Sequence, residues 1–169
     1  MELLRFFKRF RFVGLVILGL SIIIIAIFYT ALKPTAVLPV YQPAMVDPEL
    51  VDESIQYVKK YHTIAPFSMI NQNGETITAA DYDNAIYVAD FFFTTCPSIC
   101  PIMTKNMYAL QQKLSRYPVV KLLSFSVTPD IDSVAQLKRY AVENKVDDSR
   151  WNLVTGNKKE IYQLARKSY

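Results

Sequence analysis

Cys96 and Cys100 are the only cysteines of the 169-residue chain, and they stand close together in Cys96-Pro97-Ser98-Ile99-Cys100-Pro101. Two thiols at this spacing can chelate a soft metal ion, or they can exchange electrons as a dithiol/disulfide couple. A purely structural bridge gains little here, because the chain-entropy benefit of a disulfide grows with the length of the loop it closes. Donor count narrows the metal. Zinc and iron–sulfur sites take about four protein ligands, whereas the chain offers two Cys and one His. The Cys-x-x-Cys-His run of haem attachment is absent. Copper(I) is soft and accepts few ligands, so a pair of thiolates suits it best. For the electron-transfer alternative the candidate residues are Cys96, Cys100 and Asp90. Asp90 lies in an apolar run just before the motif, and a buried carboxylate with a raised pKa can act as a general base. His62, the sole histidine, lies well upstream and is read as a surface or turn residue. Met103 and Met107 offer soft sulfurs, but Leu110 and Leu114 continue their helical stripe, which makes them core.

The elements that must position these thiols are a strand and a helix. Ile86 to Phe93 is a near-continuous apolar run, as expected of a central strand covered on both faces. Both cysteines precede proline, and residues before proline are pushed out of the α region. A proline in a helix interior also costs about 3 kcal/mol. The expectation is therefore a loop over residues 96–100 and a helix over 101–115, with Cys100 at its N-terminus, where the helix dipole lowers a thiol pKa.

Further strands are expected at residues 65–71 and 76–78, joined by a tight turn through Asn73-Gly74, and at 119–127 and 151–154. Ser133 and Gln136 fit a capping box before a helix reaching Asn144, with Val134, Leu137 and Ala141 inward. A last helix starts at Asn157, with Ile161, Leu164, Ala165 and Ser168 on one side. Alternating strands and helices imply an α/β fold with right-handed crossovers.

Ahead of this domain, Phe12 to Leu32 is 21 residues without a charge. As a helix it spans ~31 Å, enough for a hydrocarbon core of about 30 Å. Its 14 Leu, Ile, Val and Phe residues favour insertion by roughly 6 kcal/mol. The run is longer than the apolar core of a cleaved signal peptide. The eleven residues before it carry a net charge of +3. The positive-inside rule then keeps that end in the cytoplasm and sends the rest out. The chain is +4 overall, which leaves no basic patch for nucleic acid outside the N-terminal tail. With no Arg- and Ser-rich leader, the expected setting is a bacterial inner membrane with the domain in the periplasm. Residues 1–11 are thus read as a cytoplasmic basic tail, 12–32 as a transmembrane helix, 33–61 as a proline-interrupted linker and 62–169 as the domain. Within the linker, Asp47-Pro48-Glu49 can start a short helix with Leu50, Ile55 and Val58 on one face.

The domain resembles the Sco/SenC family over most of its length. The resemblance runs through His62-Thr63-Ile64, Phe67, Gly74, Phe93-Thr94, Cys96-Pro97, Cys100-Pro101, Ser126-Val127, Pro129, Asp132, Leu137, Tyr140 and Trp151 to Gly156. It implies a thioredoxin-like fold and a membrane-anchored copper chaperone that serves the dinuclear copper site of cytochrome c oxidase. The copper-binding oxidase subunit, thiol–disulfide partners and the lipid bilayer are the implied partners. It also implies Cys96 and Cys100 as copper ligands and a distant downstream histidine as the third. That histidine would fall beyond Tyr169, so the domain is expected to be incomplete at its C-terminus. Three positions depart from the family's habit. Phe92 stands where a glycine is common, Ser98 where an acidic residue often sits between the cysteines, and Thr128 where aspartate often precedes the proline.

Overall fold

The computed structural model describes residues 2–32 and 40–169. Residues 33–39, with Pro34 and Pro39 of the expected linker, lie outside the described residues, as does Met1. Two compact units are present, one ending at Val40 and one running from Tyr41 to Tyr169.

The first unit is a single helix, α1 (Glu2–Ala31). It extends back through the basic segment read as a tail, because nothing in Glu2–Arg11 breaks a helix. Its stretch Arg9–Ala31 is long and apolar enough to cross a membrane.

The second unit is a five-stranded sheet with helices on both faces. Its strands are β1 (Ser68–Asn71), β2 (Thr76–Thr78), β3 (Ile86–Phe92), β4 (Val120–Ser126) and β5 (Trp151–Thr155). The order across the sheet is β2-β1-β5-β4-β3. β3, β4 and β5 are parallel, while β1 runs antiparallel to both β2 and β5. The β1–β2 hairpin turns at Gly74 with φ +80°, a conformation a side chain disfavours. β1 is shorter than expected because residues 65–67 bond elsewhere. Ala65 donates its N–H to Ser168 Oγ at 2.9 Å, and the Phe67 carbonyl accepts from Ala79.

The connecting helices are α2 (Ile99–Lys113) and α3 (Val134–Glu143), followed by α4 (Lys158–Ser168). The steps β3 to β4 and β4 to β5 run in one direction, so right-handed crossovers put α2 and α3 on the same face. Met107, Leu137 and Ala141 meet Phe92, Leu122, Trp151 and Leu153 there. On the other face Ile161 and Leu164 of α4 meet Met69, Tyr82, Leu123, Phe125 and Val154.

Three details differ from the sequence reading. Among the described residues β3 pairs with β4 alone and stands last in the strand order. Its apolar run reports covered faces and not paired edges: Val88 and Phe92 pack on one side, Tyr87, Ala89 and Phe91 on the other. The buried stripe of α2 is Cys100, Thr104, Met107 and Gln111 instead of the Met–Leu stripe. Two polar residues are admitted because their bonds are satisfied: Thr104 Oγ1 pairs with the Tyr140 hydroxyl at 2.7 Å, and Gln111 bridges the Lys145 carbonyl and the Asp147 N–H. Packing also begins at Tyr41 and not near His62. A short 3-10 turn, Pro48–Leu50, forms behind the Asp47 cap, but it buries none of its own residues: Leu50 is exposed, and Val51 just after it is buried. Asp52 N–H then donates to the Arg166 carbonyl of α4 at 3.1 Å.

Candidate metal centre

The dithiol sits where β3 leaves the sheet and α2 begins. Cys96 is 8% exposed and Cys100 3%, both as free thiols packed in the core cluster beneath α2 and α3. The helix starts at Ile99, with Ser98 at its cap position, and not at Pro101. Pro101 is tolerated because it lies in the first turn, where a backbone N–H has no intrahelical acceptor to lose. Cys96 therefore precedes the helix and Cys100 belongs to its first turn.

This placement reverses the expected electrostatics. The thiol of Cys100 donates to Cys96, and the Ser98 and Cys100 backbone N–H groups point at the same sulfur. The Cys100 N–H to Cys96 Sγ distance is 3.4 Å. Donors aimed at one atom stabilise its anion, and the Cys96 thiol is brought down to about 6. Cys100 moves the other way. Burial pushes its thiol up, the bond it gives to Cys96 raises it further, and the charges of Cys96 and Asp90 add to the effect. The helix start does not lower the Cys100 thiol as expected; its first-turn N–H groups favour the Cys96 thiolate instead.

Asp90 lies on β3, half-buried, six positions upstream. Burial raises its pKa, and a hydrogen bond from Ser124 Oγ partly offsets this. Ser124 Oγ in turn accepts from the Trp151 indole N–H at 2.9 Å. Asp90 is near enough for its charge to act on Cys100 and Tyr140. His62 is elsewhere: its backbone N–H bonds Gln42 Oε1 at 3.1 Å, and its side chain lines a small cavity with Arg166 and Tyr169. Met107 is core, while Met103 is only half-buried. Among the described residues no three His, Cys, Asp or Glu side chains come together as a metal site. The donor set is therefore two adjoining sulfurs, which fits a soft monovalent ion better than any harder cation.

Sequence reasoning missed the surroundings of the thiols. The Trp151–Ser124–Asp90 line joins three strands, and the Thr104–Tyr140 pair joins two helices. Asp132 carries no sequence signal beyond its place in the family resemblance. All three rest on contacts between residues far apart in the chain, for which a local pattern carries no signal.

A thioredoxin-like sheet that presents a dithiol at a strand-to-helix junction defines the class. Residues 55–169 match the family model described as SCO1/SenC, and the chain belongs to that family. It is 36% identical over 110 residues to the SCO1 protein homolog of Bacillus subtilis, covering 64% of this chain. The chain spans 57% of the length of that relative. Among solved structures, BsSco, a member of the Sco family of cytochrome c oxidase assembly proteins, matches with a TM-score of 0.59 at 36% identity over 64% of each chain. Arabidopsis thaliana ScoI, solved with copper bound, matches with a TM-score of 0.53 at 30% identity, over 61% of this chain and 63% of that one.

Proposed function

We propose that this protein is a membrane-anchored copper chaperone whose Cys96 and Cys100 hold Cu(I) for transfer to the copper-binding subunit of cytochrome c oxidase. The observation that carries the reading is the pair of buried, adjoining sulfurs with opposed pKa shifts. Its support from relatives is the copper-bound state of Arabidopsis ScoI and the oxidase-assembly role of the family to which BsSco is assigned.

The chemistry follows from the two thiols. Near neutral pH Cys96 is largely thiolate, so it makes the first bond to an incoming ion. Cys100 keeps its proton until the metal arrives, and binding then releases it. With two thiolates the ion is held by soft ligands and little else, so an incoming partner donor can displace one sulfur at a time. The donors present here favour Cu(I) and serve Cu(II) poorly, since Cu(II) prefers nitrogen and oxygen. α1 would hold the domain at a bacterial inner membrane, on the periplasmic side.

The test is metal uptake by the reduced full-length chain in detergent, measured against a Cu(I) chelator. The expected result is about one Cu(I) per chain, lost in Cys96→Ala and in Cys100→Ala. Uptake no greater than that of the double-alanine chain would sink the proposal.

A further inference from the structure

We infer that Asp132 is the positioning residue of the dithiol, a buried carboxylate that fixes the loop from which Cys96 projects. Asp132 is fully buried at 0% exposure. Its Oδ1 accepts from Thr94 Oγ1 at 2.6 Å. Its Oδ2 accepts from Ser126 Oγ at 2.6 Å and from Thr128 Oγ1 at 3.1 Å. The Thr94 N–H is shared between the two oxygens at 3.4 and 3.2 Å. Every donor is neutral, so a carboxylate is held in the interior by hydrogen bonds alone. Such a group is a poor source of net stability, because desolvation of the charge offsets what the bonds contribute. Its value lies in the geometry it imposes.

That geometry leads to the sulfur. Thr94 is two residues before Cys96, and the Cys96 N–H closes a turn on the Phe93 carbonyl at 3.2 Å. Upstream, the Phe92 carbonyl is held by the Val127 N–H at 2.9 Å. From the other side, Gln136 Nε2 donates to Thr94 Oγ1 at 3.1 Å. A capping box would turn the Gln136 side chain back to the α3 cap, yet its amide bonds the loop while its backbone N–H still bonds Ser133 Oγ. Asp132 thus ties three segments, the end of β4, the start of α3 and the β3–α2 loop, at one carboxylate. Cys96 is held between this anchor and the first turn of α2. Thr128, at a position where the family often carries aspartate, contributes a donor to Asp132 rather than a second negative charge.

The inference rests on the proposed dithiol site, and its test separates the two. Three variants of the full-length chain in detergent are compared with wild type for Cu(I) affinity and for the reduction potential of the Cys96–Cys100 couple. Thr94→Val removes the loop's hydroxyl and leaves Asp132 its sheet-side partners. Asp132→Asn turns an acceptor oxygen into a donor. Gln72→Leu is the stability control, since it removes buried bonds to the Trp151 carbonyl and the Leu153 N–H and none to Thr94, Cys96 or Asp132. Thr94→Val and Asp132→Asn should weaken Cu(I) binding by about tenfold or more. They should also move the potential by about 30 mV or more, a tenfold change in the dithiol equilibrium. Thr94→Ser should restore both, and Gln72→Leu should lower the melting temperature while leaving both in place. Wild-type affinity and potential in Thr94→Val, or an equal shift in Gln72→Leu, would overturn the inference. If Asp132→Asn does not fold, the Thr94→Val and Thr94→Ser pair decides alone. A wild-type chain that takes up no Cu(I) defeats the chaperone reading, and the potential still reads the positioning.

Discussion

At the scale of residues, the two cysteines divide their labour by which of them receives hydrogen bonds. Cys96 accepts from the helix start and from Cys100, while Cys100 donates and is more deeply buried. A pH profile follows. As pH rises through about 6 the Cys96 thiol loses its proton, so the nucleophilic fraction grows on the alkaline side of that midpoint and vanishes on the acid side. Alkylation of the reduced protein by iodoacetamide, with the modified residue read by mass spectrometry, should show Cys96 reacting with a midpoint near pH 6. Cys100 should lag to higher pH than an ordinary thiol. Equal rates at the two positions would contradict the arrangement. The identity of the reactive pair was legible in the sequence, since residue type and spacing carry it. Which thiol is the more acidic was not, because that depends on where α2 starts by two residues. Asp132 was illegible for a related reason: its most telling partner, Thr94, lies 38 positions away.

At the scale of elements, the hairpin and the helices follow their local signals closely. Asn73-Gly74 forms the turn, Ser133 and Asn157 cap their helices, and Ile161 and Leu164 point inward as their spacing requires. The turn can be tested directly. A Cβ at Gly74 meets nothing within 4 Å, so substitution costs only what the positive φ of +80° imposes. Gly74→Ala should lower unfolding free energy by roughly 1–2 kcal/mol in chemical denaturation, with no change in metal affinity because the turn is remote from the thiols. The misreadings are also local in origin. Thr104 and Gln111 broke the expected α2 stripe because a hydrogen-bonded polar side chain can occupy a core position. The place of β3 in the strand order of the described residues escaped the sequence because periodicity reports faces, while strand order is set by pairings between distant segments.

At the scale of the whole molecule, a long apolar helix and a folded unit beginning at Tyr41 divide the chain. Composition made the apolar helix legible, since the uncharged run dominates the N-terminal quarter, but not the start of the folded unit at Tyr41. If α1 anchors the protein, the full chain should sediment with membranes and residues 41–169 alone should remain in the soluble fraction. In bacterial spheroplasts a membrane-impermeant maleimide should then label Cys96 of the full chain. Labelling only after lysis would place the domain on the opposite side. Trp151 is the chain's single tryptophan and only 1% exposed. Its indole is wired through Ser124 to the Asp90 carboxylate, and its ring packs in the same cluster as both sulfurs. The molecule therefore carries its own fluorophore in the core cluster that holds the dithiol, and a change in its near-ultraviolet emission on metal addition or oxidation can be followed with no dye attached.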